Sequence, residues 1–207
     1  MNAVRALRRT AGAARDGARL ALSYAGLRSG LKTVAGDRLE IGSGPGRKPG
    51  WVTVDMAPGT DVYWDLRRPL PFADGRFGFV YSSHVLEHFA PADLYRLLRE
   101  LHRVVRPGGT VSTCVPDARL FVDAYVKRSD PGALLEYAPA VISDKPMDVL
   151  NYVFYMDGQH RTMFDPESLT HHFEACGFTG VRERAYDPAL DIAERRPTSF
   201  YLECTRP

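Results

Sequence analysis

Three residues near the middle of the chain, His84, Glu87 and His88, have side-chain types and a spacing that could bind a metal ion. They spell H-x-x-E-H, which on a helix can place two imidazoles around a zinc ion. His84, however, directly follows a predicted strand, and Pro91 leaves little room for the long helix such a site would occupy. We therefore do not expect a zinc hydrolase. Instead, we expect Glu87 and His88 to hold a loop through hydrogen bonds.

A second candidate for chemistry is the glycine-rich segment "LEIGSGPG", which ends at Gly46. Three glycines directly after an apolar run allow the backbone to approach a ligand closely. The segment does not match the dinucleotide fingerprint G-x-G-x-x-G, because Arg47 stands where the third glycine would be. Asp55, at the next acidic strand end, also comes sooner than that fingerprint requires. Taken alone, the loop indicates only a ligand-binding turn.

The elements that must position these residues alternate short apolar runs with helical patterns, which is typical of an α/β domain. Apolar residues between 91 and 105 fall on one helical face, and Pro107-Gly108-Gly109 marks the turn that follows. Asp165 and Pro166 predict the start of a later helix that ends before Gly177. The segment 129–164 predicts irregular structure. The predicted strands cover residues 38–41, 51–55, 61–65, 77–82, 110–115, 178–185 and 198–204.

Composition predicts one soluble domain, because 207 residues with 44% hydrophobic content can bury a single core. Three widely spaced cysteines suggest neither a disulfide framework nor a thiolate zinc site, so we expect a cytoplasmic protein. The sequence shows neither an apolar run long enough to cross a bilayer nor the apolar core of a secretory signal.

The net charge of +2 is unevenly distributed along the chain. Residues 1–38 hold eight basic and two acidic residues, so this part carries +6 and the remainder −4. Apolar residues near helical spacing predict an amphipathic helix there, packed on the domain. Contact with an anionic membrane surface or a partner, and a targeting role, are the alternatives. The sequence lacks the basic patch expected of a nucleic-acid-binding protein.

Five segments, in this order, resemble the class I S-adenosylmethionine-dependent methyltransferases, particularly the type 11 group. They are "LEIGSGPG", "GWVTVDM", "WDLRRPLPFADGRFGFVYSSHVLEHF", "LLRELHRVVRPGGTVSTCVPD" and "HRTMFDPESLTHHFEACGF". The resemblance covers about residues 37–205. It implies a Rossmann-like α/β fold with a seven-stranded, mostly parallel sheet, an antiparallel last strand and flanking helices. We therefore expect a basic helical extension at 1–36 and a methyltransferase domain at 37–207, with an acceptor lid at about 129–164.

The resemblance also implies which residues bind S-adenosylmethionine and its product S-adenosylhomocysteine. Asp55 would accept both ribose hydroxyls, Asp65 and Leu66 would contact the adenine, and the glycine loop would meet the methionine end. The cofactor-binding residues expected on this basis are Glu40, Gly42, Ser43, Gly44, Asp55, Met56, Asp65, Leu66, Ser83 and His84. In the same family the "HVLEH" segment shapes the pocket without metal.

Two departures from the family pattern affect these expectations. Only residues 42–50 separate the first two predicted strands, so the helix that normally follows the glycine loop must be shortened or absent. Gly78 stands where the family commonly has Asp, so a strand-edge contact should be missing.

The predicted lid carries the side chains that would select and activate the acceptor. Methyl transfer to a hydroxyl benefits from a general base, and His160 is our first candidate, with His84 as the alternative. Tyr155 and Asp144 complete the predicted catalytic set. We expect a polar hydroxyl acceptor, a sugar or glycan first and a natural product or other small molecule second. A cofactor-binding subunit without catalysis remains the third hypothesis.

Two further expectations concern metal and assembly. We assign no metal ligands, although a divalent ion held by lid carboxylates and His160 could orient a diol. A homodimer is compatible with the sequence.

Overall fold

The computed structural model describes residues 35–135 and 139–207 of the chain. The predicted basic helix therefore lies almost wholly outside the described residues. Within them, seven strands and four α-helices are seen. The strands are β1 (Arg38–Ile41), β2 (Trp51–Asp55), β3 (Val62–Tyr63), β4 (Phe77–Ser83), β5 (Val105–Pro116), β6 (Thr179–Glu183) and β7 (Ser199–Thr205). The helices are α1 (Pro91–Val104), α2 (Ala118–Val126), α3 (Pro146–Tyr155) and α4 (Pro166–Ala175).

The strands form one sheet in the order β3-β2-β1-β4-β5-β7-β6. The five strands from β3 to β5 are parallel, and β7 runs antiparallel to both of its neighbours. This arrangement confirms the predicted fold class. Because parallel strands share their carboxyl ends, the residues that follow β1, β2 and β4 meet at one edge of the sheet.

The core lies on the central strands and on one face of α1. Leu39, Ile41, Val52 and Val54 have no exposed surface, as expected for parallel strands covered on both sides. The buried side chains of α1 recur at helical spacing; they are Leu94, Leu97, Leu98, Leu101 and Val104. The predicted start of α4 is also confirmed, since the Asp165 side chain accepts a hydrogen bond from Ser168 N at 2.8 Å.

The predicted lid is more regular than its sequence suggested. Lys145-Pro146 starts α3, whose Val149, Leu150 and Val153 turn inward. Leu150 and Val153 pack with Phe121 of α2 in a small second core. The expectation of an irregular segment was therefore wrong, because burial against α2 stabilises a helix whose Pro, Asp and Tyr content hid its apolar face.

Two sequence departures have clear structural outcomes. Residues 42–50 contain no helix, so β1 leads to β2 through turns alone. At Gly78 the expected loss of a strand-edge contact is offset by Asp37, which accepts from Gly78 N at 3.1 Å and pairs with Arg106 at 2.8 Å. A Cβ at Gly78 would lie 2.2 Å from the Arg106 guanidinium, so a larger residue there would shift this ion pair.

Two smaller features complete the fold. Cys114, Cys176 and Cys204 are buried free thiols. A search of the described helices finds none with the length and apolar character needed to cross a membrane.

Candidate functional site

The glycine loop is packed tightly at its first residue and is open further on. Gly42 has φ +61°, and its N–H donates to Val54 O at 2.8 Å. A Cβ at Gly42 would lie only 2.3 Å from a methyl group of Val85, so no larger residue fits. Gly44 also has positive φ, but a Cβ there would meet no atom within 4 Å. The loop therefore anchors at Gly42 and leaves space beside Gly44.

The carboxylates predicted near the loop have different surroundings. Asp55, at the end of β2, accepts a hydrogen bond from Gly44 N through Oδ2 at 2.8 Å. This bond joins the second strand to the glycine loop. Glu40 instead pairs with Lys48 at 3.0 Å. Of these two, only the Asp55 carboxylate bonds directly to the loop backbone.

A first cavity of about 290 Å³ opens beside Asp55, and we call it the β2 cavity. It brings together four residues predicted to bind cofactor, Asp55, Met56, Asp65 and Leu66. Its other lining residues are Trp64, Arg67, His88 and Phe89.

Asp65, in the wall of the β2 cavity, is already paired. Arg67 donates to both of its carboxylate oxygens at 2.9 Å. Partial burial would raise the pKa of Asp65, but the hydrogen bonds and charge of Arg67 outweigh it and lower the pKa. The Asp65 side chain is therefore ionised and paired with Arg67.

A second cavity of about 250 Å³ lies between the sheet edge and the helices of the lid, and we call it the lid cavity. Five of its ten lining residues are apolar. The other five are two histidines and three further charged or polar residues. The lining residues are His84, Pro116, Phe121, Leu135, Val153, Met156, His160, Glu194, Arg195 and Thr198.

His84 turns the chain out of β4 at the mouth of the lid cavity. Its φ of +52° is unusual for a residue with a side chain. Its N–H donates to Cys114 O at 2.9 Å, and its Nε2 lies 2.7 Å from Ser199 Oγ. Burial, with a further contribution from the charge of Arg195, lowers the pKa of His84 to about 3. The ring is therefore neutral at physiological pH.

His160 is only 4% exposed, and its ring orientation is fixed by one hydrogen bond. Nδ1 lies 2.7 Å from Val153 O, and because a carbonyl oxygen only accepts, Nδ1 must carry the proton. Burial lowers the pKa of the imidazole, although the bond to Val153 opposes this. The neutral ring therefore has its lone pair on Nε2.

The C-terminal side of the lid cavity was not found from the sequence. Glu194, Arg195 and Thr198 come from a 3-10 segment, Ala193–Thr198, that carries only the unspecific charge run "ERR". Arg195 Nη1 donates to the carbonyl and hydroxyl oxygens of Ser83 at 2.6 and 2.8 Å. Ser83, predicted to bind the cofactor, is thus bound to an arginine more than a hundred residues away in sequence.

A buried network holds this C-terminal segment against the sheet. Asp191 accepts from both terminal nitrogens of Arg184, at 2.6 and 2.7 Å, and from the Tyr81 hydroxyl at 2.9 Å. Asp187 N adds a fourth bond at 2.8 Å. The network fixes the chain just before the residues that line the lid cavity.

Two residues of the predicted catalytic set lie away from both cavities. Asp144 has a side chain that is 90% exposed and contacts its neighbour Lys145. Tyr155 is exposed because the apolar face of α3 points inward and Tyr155 stands on the outer face. Neither lines a cavity, so this geometry does not support a direct part in chemistry for either residue.

Glu87 and His88 only partly match the predicted hydrogen-bonding role. His88 Nδ1 donates to Gln159 O at 3.1 Å, and Glu87 O accepts from Arg161 N at 2.7 Å. The Glu87 carboxylate, in contrast, is buried and has no hydrogen-bond partner in the described part of the chain. The expectation was correct for His88 and for the Glu87 backbone but wrong for the Glu87 side chain.

Comparison with known proteins matches residues 29–183 to a family model described as a methyltransferase domain. The chain is 34% identical over 122 residues to a demethylmenaquinone methyltransferase of Mycolicibacterium vanbaalenii, covering 56% of this chain and 48% of the relative. A similar match, also at 34%, is to the enzyme of the same name from Mycolicibacterium paratuberculosis, covering 62% of this chain and 55% of the relative. The chain spans about half the length of these curated relatives.

Two solved structures share the fold. The S-adenosylmethionine-dependent methyltransferase SibL is 14% identical with a TM-score of 0.51, covering 89% of this chain and 54% of SibL. A Haloferax volcanii complex of the methyltransferase activator Trm112 with a methyltransferase gives 17% identity and a TM-score of 0.50, covering 96% of this chain and 95% of the matched one. At these identities the likeness concerns the fold alone.

Proposed function

The chain belongs to the methyltransferase-domain family and is an S-adenosylmethionine-dependent methyltransferase, and from this premise we propose that it methylates a hydroxyl group of a small molecule with an apolar body. The observation that carries the proposal is the lining of the lid cavity, where apolar walls end at two neutral imidazoles. Membership of an enzyme family sets aside the hypothesis of a cofactor-binding subunit without catalysis.

The residues around the β2 cavity fit the cofactor. A carboxylate at a strand end suits a vicinal diol, because each hydroxyl can donate to one carboxylate oxygen. Asp55 has that position, and the space beside Gly44 leaves room for a ligand against the loop backbone. Met56 and Leu66 supply apolar surface in the same cavity. We propose that Asp55 holds the ribose and that the loop from Gly42 to Gly44 holds the methionine end.

The walls of the lid cavity favour an apolar acceptor body over the sugar that we expected first. Phe121, Leu135, Val153 and Met156 offer carbon surface, whereas a sugar would need hydrogen bonds around most of its ring. Relatives named for demethylmenaquinone are in keeping with this preference. The polar group of Glu194, Arg195 and Thr198 would orient substituents at one end of the acceptor.

The chain's contribution to the reaction is to orient the acceptor and receive a proton. When bound, S-adenosylmethionine supplies the methyl group, which leaves sulfur for the acceptor oxygen while the bonding electron pair stays on sulfur. The acceptor hydroxyl must also lose its proton. His160 offers the lone pair of Nε2 in the lid cavity, and we propose that the hydroxyl is activated there. The apolar walls exclude competing water.

The first test measures cofactor binding by calorimetry with S-adenosylhomocysteine. Wild-type protein should bind it, and Asp55→Ala should bind at least about ten-fold more weakly, because hydrogen bonds to a charged group contribute about 1.5–3 kcal/mol. Asp123→Ala is the matched control, since Asp123 pairs only with Lys127 on the surface of α2. Wild-type protein that fails to bind the ligand would overturn the cofactor assignment.

The acceptor is tested separately by methyl transfer to a panel of phenols, quinols, sugars and amines, with products identified by mass spectrometry. We expect methyl ethers of the phenolic or quinol compounds. Methylation confined to sugars would restore our first expectation, and methylation confined to amines would contradict the hydroxyl acceptor.

A further inference from the structure

The wall between the two cavities holds a cluster of three potential metal ligands. A carboxylate oxygen of Glu87 and one ring nitrogen each of His88 and His160 lie within 4.8 Å of one another. His88 lines the β2 cavity and His160 lines the lid cavity. We propose that Glu87, His88 and His160 bind a divalent transition-metal ion, with Zn²⁺ as the first ion to test.

The Glu87 carboxylate is the strongest indication of a missing cation. Its side chain is 1% exposed, and neither carboxylate oxygen has a hydrogen-bond partner among the described residues. Buried carboxylates are normally paired or bound to metal, because an isolated charge is costly to remove from water. The nearest imidazole nitrogen of His84 is 3.9 Å away, which is beyond hydrogen-bonding distance.

Both histidines have the hydrogen bonds that are typical of metal ligands. His160 Nδ1 donates to Val153 O, and His88 Nδ1 donates to Gln159 O. A metal-binding imidazole usually donates its other N–H to a carbonyl or carboxylate, which fixes both tautomer and ring orientation. In each ring this leaves the Nε2 lone pair for an ion.

The backbone around the cluster is fixed before any ion arrives. Glu87 O accepts from the N–H groups of Arg161 and Thr162, at 2.7 and 3.2 Å. Thr162 Oγ1 also donates to Phe89 O at 2.9 Å. We call this connection between residues 87–89 and 159–162 the strap. It joins the backbone that carries Glu87 and His88 to the segment that carries His160.

The donor set and its spacing favour a transition metal. Two imidazoles and one carboxylate suit zinc or a similar ion and leave a coordination position open. Ligand atoms about 2.1 Å from a tetrahedral ion are roughly 3.4 Å apart. The three groups, now within 4.8 Å of one another, must therefore approach by up to about 1.4 Å. His88 is exposed and its ring can make that adjustment.

The inferred site differs from both metal expectations based on sequence. The three residues of the H-x-x-E-H motif do not form the site together. His84 bonds to Ser199 instead, and the third ligand, His160, comes from the lid. Lid carboxylates such as Asp144 are also not involved. The role of the ion rests on the proposed function: an ion bound there would lower the pKa of an acceptor hydroxyl at its open position, and the proton would pass to the imidazole of His84, which also lines the lid cavity, while His160 holds the ion. Binding itself does not depend on that role.

The test measures metal binding to full-length protein stripped with a chelator. Calorimetry with Zn²⁺ should show one ion per chain, and Co²⁺ should develop visible ligand-field absorption. His88→Ala and Glu87→Gln should each weaken Zn²⁺ binding at least about ten-fold. Glu87→Gln should also leave the metal-free protein at least as thermally stable as wild type, because it removes an unpaired buried carboxyl. A glutamate with only a structural role would not combine weaker Zn²⁺ binding with undiminished stability of the metal-free protein.

His171→Ala is the matched control, because it removes an exposed imidazole of α4 that lies outside the cluster. Equal Zn²⁺ binding by wild type, His88→Ala and Glu87→Gln would overturn the proposal and indicate an adventitious ion only. So would loss of binding in His171→Ala equal to that in His88→Ala. Should Glu87→Gln fail to fold, the exposed His88 variant and this control decide the question.

S-adenosylhomocysteine binding, measured on the same samples, separates this inference from the proposed function. Protein that binds the cofactor product but no Zn²⁺ would overturn the metal site alone. Protein that binds Zn²⁺ but no cofactor product would overturn the cofactor assignment alone.

Discussion

Single buried polar residues determine the shape of the candidate site. Asp191 receives hydrogen bonds from Arg184, Tyr81 and the Asp187 backbone, and it lies just before the segment that carries Arg195. Arg195 in turn binds Ser83 at the end of β4. One carboxylate therefore supports the wall of the lid cavity, although no short-range pattern in the sequence identifies it.

We predict that Asp191→Ala lowers the free energy of unfolding by about 3 kcal/mol at neutral pH, because it leaves the buried Arg184 without its partner. Burial alone would raise the pKa of Asp191, but Arg184, Asp187 N–H and Tyr81 outweigh it and lower the pKa. The carboxylate thus stabilises the fold above the unfolded-state pKa. This contribution is lost as pH falls through the lower folded-state pKa.

Urea unfolding between pH 3 and pH 8 checks this prediction. The difference between wild type and variant should be constant from about pH 5 upward and should shrink below about pH 4. Asp123→Ala, which removes a surface ion pair, should change stability by less than about 1 kcal/mol. An unchanged difference at low pH would contradict the linkage to Asp191.

Among the elements, those with strong local signals were predicted well. Asp165-Pro166 marked the start of α4, and the apolar spacing from Leu94 to Val104 marked α1. Helix α3 was missed because its inner face is defined by packing on Phe121, a contact that the local sequence does not show. The exposed Tyr155 hides the apolar pattern further. The sequence also placed Asp55 and His160 near a site, but Arg195 and Thr198 reach it through long-range contacts that no local pattern records.

The glycine loop gives a prediction at the scale of the element. Gly44→Ala and Gly50→Ala should each destabilise the fold by about 1 kcal/mol, because both residues have positive φ and open space around the Cβ position. Only Gly44→Ala should weaken S-adenosylhomocysteine binding, since its methyl group would enter the space beside Gly44 proposed for the methionine end, whereas Gly50 stands at the far end of the loop.

Calorimetry and thermal unfolding on the same two samples measure both effects. Equal loss of affinity in the two variants would show that loop strain, and not the space beside Gly44, controls binding.

For the whole molecule, the family match begins at residue 29, well inside the basic segment. We predict that removal of residues 1–28 leaves S-adenosylhomocysteine affinity nearly unchanged, because the residues expected to bind the cofactor all lie between Glu40 and His84. If the basic segment meets a membrane surface, binding to vesicles that contain anionic lipid should fall on truncation, because six of the eight basic residues of 1–38 are removed.

Vesicle flotation and calorimetry on both proteins are the measurements. A truncated protein that no longer folds would contradict the division of the chain into an extension and a domain. Equal flotation of the two proteins would contradict the membrane role alone.

The strap between residues 87–89 and 159–162 means that the two cavities do not respond independently. His88 lies in the wall of one cavity and His160 in the wall of the other, and their rings are 5.1 Å apart. A ligand that displaces either ring must therefore alter the free energy of binding on the opposite side. By thermodynamic reciprocity, the factor by which cofactor changes acceptor affinity equals the factor by which acceptor changes cofactor affinity. A displacement passed through the strap would therefore change cofactor affinity and acceptor affinity by the same factor.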